Sequence, residues 1–137
     1  MIQKLLLRHE GIKLKPYLCP AGKITIGVGR NLEDTGITRE EAMALLENDI
    51  VKFDHDLDIA FSWYKSLSEP RKAVLISMAF NMGMGGLKQF KQMLAALALG
   101  DYRRASDQML ASKWASQVGR RAVELSIMML QNRFVLD

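Results

Sequence analysis

The sequence predicts an α+β fold in which helices predominate, and three observations lead there. Apolar residues recur at helical spacing through most of the chain; the stretch between Tyr17 and Gly29 changes to a period of two; and glycines or capping residues stand where the period breaks. Together these give a small hairpin lobe, a connecting helix and a larger helical lobe.

Residues 2–10 read as a short helix with Ile2, Leu5 and Leu6 at helical spacing, and Gly11 as its stop leaves Glu10 at the helix C-terminus. After a turn through Pro20, Ala21 and Gly22, the residues Ile24, Ile26 and Val28 alternate with Lys23, Thr25 and Gly27. That is a β-hairpin, and burying its Ile/Val face turns Thr25 towards solvent or a cleft. Thr38 followed three residues on by Glu41 is a capping box, and Ala42, Leu45, Leu46, Ile50, Phe53 and Leu57 continue as an amphipathic helix with an acidic outer face. A second start at Ser68, Glu69 and Pro70 opens a helix that is apolar on nearly all sides from Ala73 to Met82, so it belongs in the middle of the core. Gly83, Gly85 and Gly86 end it. Phe90 to Leu99 form another helix stopped by Gly100, Asp101 caps the next, and a last helix runs from about Arg120 to Phe134. The chain reads as one domain, 1–137, with the hairpin lobe at about 11–36, the connecting helix at about 38–62, and the helical lobe at about 66–137 plus the N-terminal helix 2–10.

With 137 residues, 49% of them apolar, the chain can bury a substantial core, which excludes a disordered protein. Cys19 is the one cysteine, so no intramolecular disulfide forms, and a reducing compartment is expected. His9 and His55 stand too far apart and too unaccompanied to suggest a metal site; neither a metal nor another cofactor is expected. No apolar run approaches the roughly 18 to 20 residues needed to span a bilayer, and the three leucines before Arg8 read as neither signal peptide nor anchor. Stable membrane insertion is therefore not expected.

The net charge of +4 is unevenly spread: residues 1–32 carry +5, 33–58 carry −7, 59–99 carry +4 and 100–137 carry +2. A basic protein with one acidic helix has a charged face to offer a polyanion, although the plainer reading is a solvated surface that keeps the protein soluble.

Glycoside hydrolysis needs a proton donor on the leaving oxygen and a second group that delivers water or attacks directly. Glu10 suits the first role, because a helix C-terminus disfavours a carboxylate and raises its pKa, as a general acid near neutral pH requires. Taken alone, it reads first as an exposed or ion-paired surface carboxylate. Thr25 has a hydroxyl able to hold a water, or is simply a β-branched residue suited to a strand. For Cys19 three roles stay open: nucleophile, weak base, or small half-buried apolar residue.

The stretch from His9 to Leu32, HEGIKLKPYLCPAGKITIGVGRNL, resembles the phage-type lysozyme family, glycoside hydrolase family 24. That pattern sets Glu at a helix end, Asp or Cys nine residues on and Thr six further, in a hairpin closing with T-I-G-x-G. Here those positions are Glu10, Cys19 and Thr25, closing on Thr25-Ile26-Gly27-Val28-Gly29. The likeness extends through Ile37 to Asp49, Arg71 to Gly83, Ser112-Lys113-Trp114 and Arg120-Arg121-Ala122. It implies a lysozyme-like fold and cleavage of the β-1,4 bond between N-acetylmuramic acid and N-acetylglucosamine in peptidoglycan, causing lysis of the bacterial host. It further implies Glu10 as general acid, and Thr25 with Cys19 positioning or activating water. Phe80 and Asn81 would lie at the back of the cleft, Leu32 and Gln108 would contribute to sugar binding, and Arg121 would pair with Glu10.

Arg30 stands where relatives often have His, and Asp49 where the acidic partner would be, so an Arg30–Asp49 interaction is expected. The segment between Gly29 and Thr38 is short, so the third strand of longer relatives is expected to be missing. Cys19 replaces the Asp of many members; a neutral thiol is the poorer base, which Lys15 and Lys23 would offset by favouring the thiolate. The resemblance also implies synthesis in the host cytoplasm, release by a membrane-permeabilising partner such as a holin to reach the periplasmic wall, and a monomer. Two rivals come from other classes. A catalytically silent peptidoglycan binder is suggested by Cys19, and Cys19→Asp against Cys19→Ser discriminates it. A basic nucleic-acid module is suggested by the charge, but no base-reading motif accompanies it, so no nucleic-acid partner is expected.

Overall fold

Helices form where the apolar spacing places them, with one more at 113–118 that the spacing did not mark, and a small sheet covers the stretch of period two and extends beyond it at both ends. The structure, a computed structural model, describes residues 1–136. Helix α1 (Ile2–Glu10) closes with the Gly11 N–H on the Leu7 carbonyl at 2.9 Å. Three antiparallel strands follow, β1 (Lys13–Leu18), β2 (Ile24–Gly27) and β3 (Arg30–Asn31), with β2 in the centre. Then come α2 (Arg39–Ala60), a 3-10 turn (Tyr64–Ser66), α3 (Glu69–Lys88), α4 (Lys91–Ala98), α5 (Tyr102–Leu110), α6 (Lys113–Val118) and α7 (Arg120–Gln131). The last helix thus stops three residues short of the expected Phe134. The chain divides into two compact units, Met1–Leu45 and the residues from Leu46 on, with the division falling inside α2.

In the first unit the hairpin corrects three expectations. Thr25 is the buried residue of β2, 3% exposed, while Ile24 is 43% exposed; the Ile/Val face is not the covered one. The reason is position in the sheet: Thr25 stands on the central strand opposite Tyr17 of β1 and Asn31 of β3, and directly opposed residues share a face. Its hydroxyl donates to the Lys23 carbonyl at 2.8 Å, so burial leaves no polar group unpaired.

The third strand is present despite the short connection, because two residues, Arg30 and Asn31, suffice to pair with Ile26 and Thr25. Its presence also redirects Arg30, whose guanidinium meets Glu41 at 2.5 Å and not the expected Asp49. Glu41 lies in the first turn of α2, next to where β3 delivers the chain. Asp49 is eight residues further along the same helix, about 12 Å at 1.5 Å per residue. The expected capping box forms: Glu41 Oε1 accepts the Thr38 N–H at 2.9 Å, and Thr38 Oγ1 accepts the Glu41 N–H at 3.1 Å.

In the second unit α3 supplies the centre of the core through Val74, Leu75, Met78 and Ala79, all fully buried. Met93, Ala96 and Leu97 of α4, Ala105 and Met109 of α5, and Ala122, Leu125, Met128 and Met129 of α7 complete it. The unbranched methionines fill irregular gaps between short helices. The glycines at the end of α3 bend it where they were expected to stop it. Gly83 takes φ 75° and ψ 165°, outside the helical region, and helical turns resume as far as Lys88. Asp101 caps α5 as expected, its carboxylate accepting the Arg104 N–H at 3.1 Å.

Candidate active site

The candidate residues fall into two groups, one in each unit. In the first unit Glu10 is the final residue of α1 and is exposed. Its carboxyl lies against the backbone of Gly29, just beyond β2, so closely that a methyl group on Gly29 would stand 2.8 Å from Glu10 Oε2. Cys19 opens the hairpin turn, its carbonyl accepting the Gly22 N–H at 2.8 Å and its own N–H donating to the Lys23 carbonyl at 3.0 Å. The same carbonyl accepts the Thr25 hydroxyl. Lys23 O therefore ties Cys19 and Thr25 together, and with its hydrogen committed there, Thr25 Oγ1 has lone pairs left to accept a hydrogen bond from water.

The Cys19 thiol is held below its ordinary pKa, first by the backbone amide of Lys23; partial desolvation opposes this, and the Ala21 amide adds to it. Sequence reasoning looked to the charges of Lys15 and Lys23. The Lys23 ammonium instead lies 3.5 Å from Asp34 and 3.9 Å from Glu33. Leu32 is half-buried, its N–H donating to the Ile24 carbonyl at 2.8 Å. It lines a cavity of about 630 Å³ together with Ile26, Val28, Ile37 and Leu45.

In the second unit Phe80 is 46% exposed and leans on Phe53, ring centroids 5.9 Å apart. The next residue, Asn81, accepts the indole N–H of the buried Trp114 on its Oδ1 at 2.8 Å, which fixes the amide's orientation. Gln108 and Trp114 line one cavity of about 500 Å³, with Met82, Phe90, Gln92 and Gln117 around them. Arg121 is half-buried and donates from Nη2 to both the carbonyl and the hydroxyl of Ser77, at 3.0 and 2.9 Å. Glu10 and Arg121, which the resemblance would pair, belong one to each unit.

Sequence reasoning missed Trp114, Ser77 and Gly29 as partners of candidate residues. Trp114 had a signal, since a lone tryptophan on a short polar helix needs a partner for its N–H when buried. Ser77 had none, because nothing local marks a serine on a buried helix as the seat of an arginine 44 residues away.

The phage lysozyme family model matches residues 7–132. The chain is 33% identical to an endolysin of Acyrthosiphon pisum secondary endosymbiont phage 1, over 85% of this chain and 80% of that protein. It is 28% identical to a probable T4-type lysozyme 1 of Dictyostelium discoideum, over 88% of each. It is also 30% identical, over 93% of its own length, to the pre-baseplate central spike protein Gp5 of Enterobacteria phage T4, of which it spans only 27%. The α+β fold and these matches define a lysozyme-type glycoside hydrolase. The chain belongs to the phage lysozyme family.

Proposed function

We propose that the protein is an endolysin, a muramidase that hydrolyses the β-1,4 bond between N-acetylmuramic acid and N-acetylglucosamine in bacterial peptidoglycan and so lyses the host cell. The observation that carries this reading is the match of the phage lysozyme family model over residues 7–132, a range that contains Glu10, Cys19 and Thr25. Glu10 acts as general acid, giving its proton to the leaving glycosidic oxygen. Thr25 accepts a hydrogen bond from the attacking water, and Cys19, whose thiolate is favoured by the amides around it, helps to position or activate that water. The width of the gap between Glu10 and Cys19 decides whether the configuration inverts, with a water between the two groups, or a covalent intermediate forms. Leu32, Phe80, Asn81, Gln108 and Arg121 bind the glycan, with Trp114 orienting Asn81. The 137 residues act as one lysozyme-like domain and as a monomer, without a nucleic-acid partner.

The protein is made in the host cytoplasm and reaches the periplasmic wall through a membrane opened by a partner such as a holin. No helix among the described residues is long and apolar enough to cross a membrane. The second reading, a silent wall binder, is favoured by one observation, a thiol and not a carboxylate at position 19.

One experiment separates the two: turbidity loss and new reducing ends from purified peptidoglycan, for the native protein and Glu10→Gln. The substitution keeps the shape and removes the acid. New reducing ends from the native protein and a loss of at least about 100-fold in a folded Glu10→Gln are expected, the scale of general acid catalysis. Binding without cleavage by both proteins would leave the silent binder.

A further inference from the structure

We propose that Gly29 is a positioning residue for the general acid: its bare α-carbon is the seat that sets where the Glu10 carboxyl rests. The inference depends on the reading of Glu10 as the acid. Two glycines among the described residues have an atom within 4 Å of the place where a Cβ would stand, Gly86 against Met82 and Gly29 against Glu10. Of these, only Gly29 also has a positive φ, +67°. A Cβ there would meet Glu10 Oε2 at 2.8 Å, Cδ at 3.1 Å and Cγ at 3.3 Å, so the whole end of the acid's side chain lies on this glycine.

Within residues 1–45 nothing hydrogen-bonds or ion-pairs with that carboxylate, and its contact with Gly29 is one of shape. The obstructed atoms are the far end of a flexible side chain. A methyl group at position 29 is therefore accommodated cheaply for the fold, by rotation of Glu10, and expensively for the reaction, because the acid moves. A misplacement of about 1 Å is enough to cost roughly 100-fold in rate. Stability and activity should separate at this position.

The test compares Gly29→Ala with Gly36→Ala. Gly36 has the same backbone requirement, φ +64°, and open space around its Cα, so its substitution carries the strain without the obstruction. Both variants are expected to lose thermal stability to a similar degree. Gly29→Ala alone should lose kcat by about 10- to 100-fold on soluble peptidoglycan fragments, with KM within about twofold. Gly29→Asn, whose residue type tolerates positive φ yet still carries a Cβ, should repeat the kcat loss, and it serves if the alanine variant does not fold. In a Glu10→Asp background, where the carboxyl ends one methylene short of position 29, adding Gly29→Ala should cost little more. Equal kcat in Gly29→Ala and Gly36→Ala, or an undiminished penalty in the Glu10→Asp background, overturns the inference. Full activity in Glu10→Gln would instead overturn the underlying assignment of the acid, so the two failures are distinguishable.

Discussion

At the scale of single residues the site turns on small groups held by backbone. Cys19 shows this most plainly, because its thiol is acidified by the amides of a tight turn and not by the lysines near it in sequence. If Cys19 is the base of the reaction, Cys19→Asp should keep activity within about tenfold, while Cys19→Ser, whose hydroxyl does not ionise in the working range, should lose about 100-fold. The pH profile carries the sign. A base works deprotonated, so native activity falls as pH drops through the lowered thiol pKa, and in Cys19→Asp that limb moves to lower pH. Equal rates for the native protein and Cys19→Ser would make the thiol a bystander. Thr25 shows the limit of residue-level reading. Alternation along β2 separates two faces, but which one is covered depends on Tyr17 and Asn31, which flank it only once the sheet has formed.

Elements were legible wherever a signal and its partner lie within one turn of chain. The Thr38 to Glu41 box and the Asp101 cap formed as read, since both ends of each hydrogen bond are three residues apart. The partner of Arg30 was not legible, because it depends on where β3 leaves the chain relative to α2. Its hydrogen bond to Glu41 is the first cause, and the Thr38 amide the second, of a Glu41 pKa lowered from 4.5 to about 2. A carboxyl with a depressed native pKa stabilises the fold above its unfolded value and loses that contribution as pH falls through the native one. Glu41→Gln keeps the side chain able to cap and removes only the charge. The native protein should therefore melt higher than Glu41→Gln at pH 6, with the difference shrinking between about pH 4.5 and pH 2; thermal melts across that range test it, and a constant difference would refute it. Added salt should also shrink it at pH 6, since both side chains are partly exposed.

For the molecule as a whole, charge and surface bear on where it works. A net charge of +4 with basic segments on either side of the acidic one suits an anionic cell wall, through attraction that reaches about 10 Å at 0.1 M salt. Synthesis inside the host, as proposed, then needs a breach in the membrane. Cells producing the protein should keep growing until a holin or a permeabilising agent is supplied and should clear promptly afterwards; clearing without either would contradict the proposed route. The sequence by itself determined the helices other than α6, the hairpin, the apolar α3 and the spacing of Glu10, Cys19 and Thr25, because periodicity, caps and short-range spacing are properties of neighbouring residues. Tertiary structure alone decided that Thr25 is buried, that Arg30 meets Glu41, that Asn81 is held by Trp114 and Arg121 by Ser77, and that Glu10 rests on Gly29. Each of these joins residues from 11 to 44 positions apart or depends on a strand flanked on both sides, and no local pattern encodes which distant group will arrive.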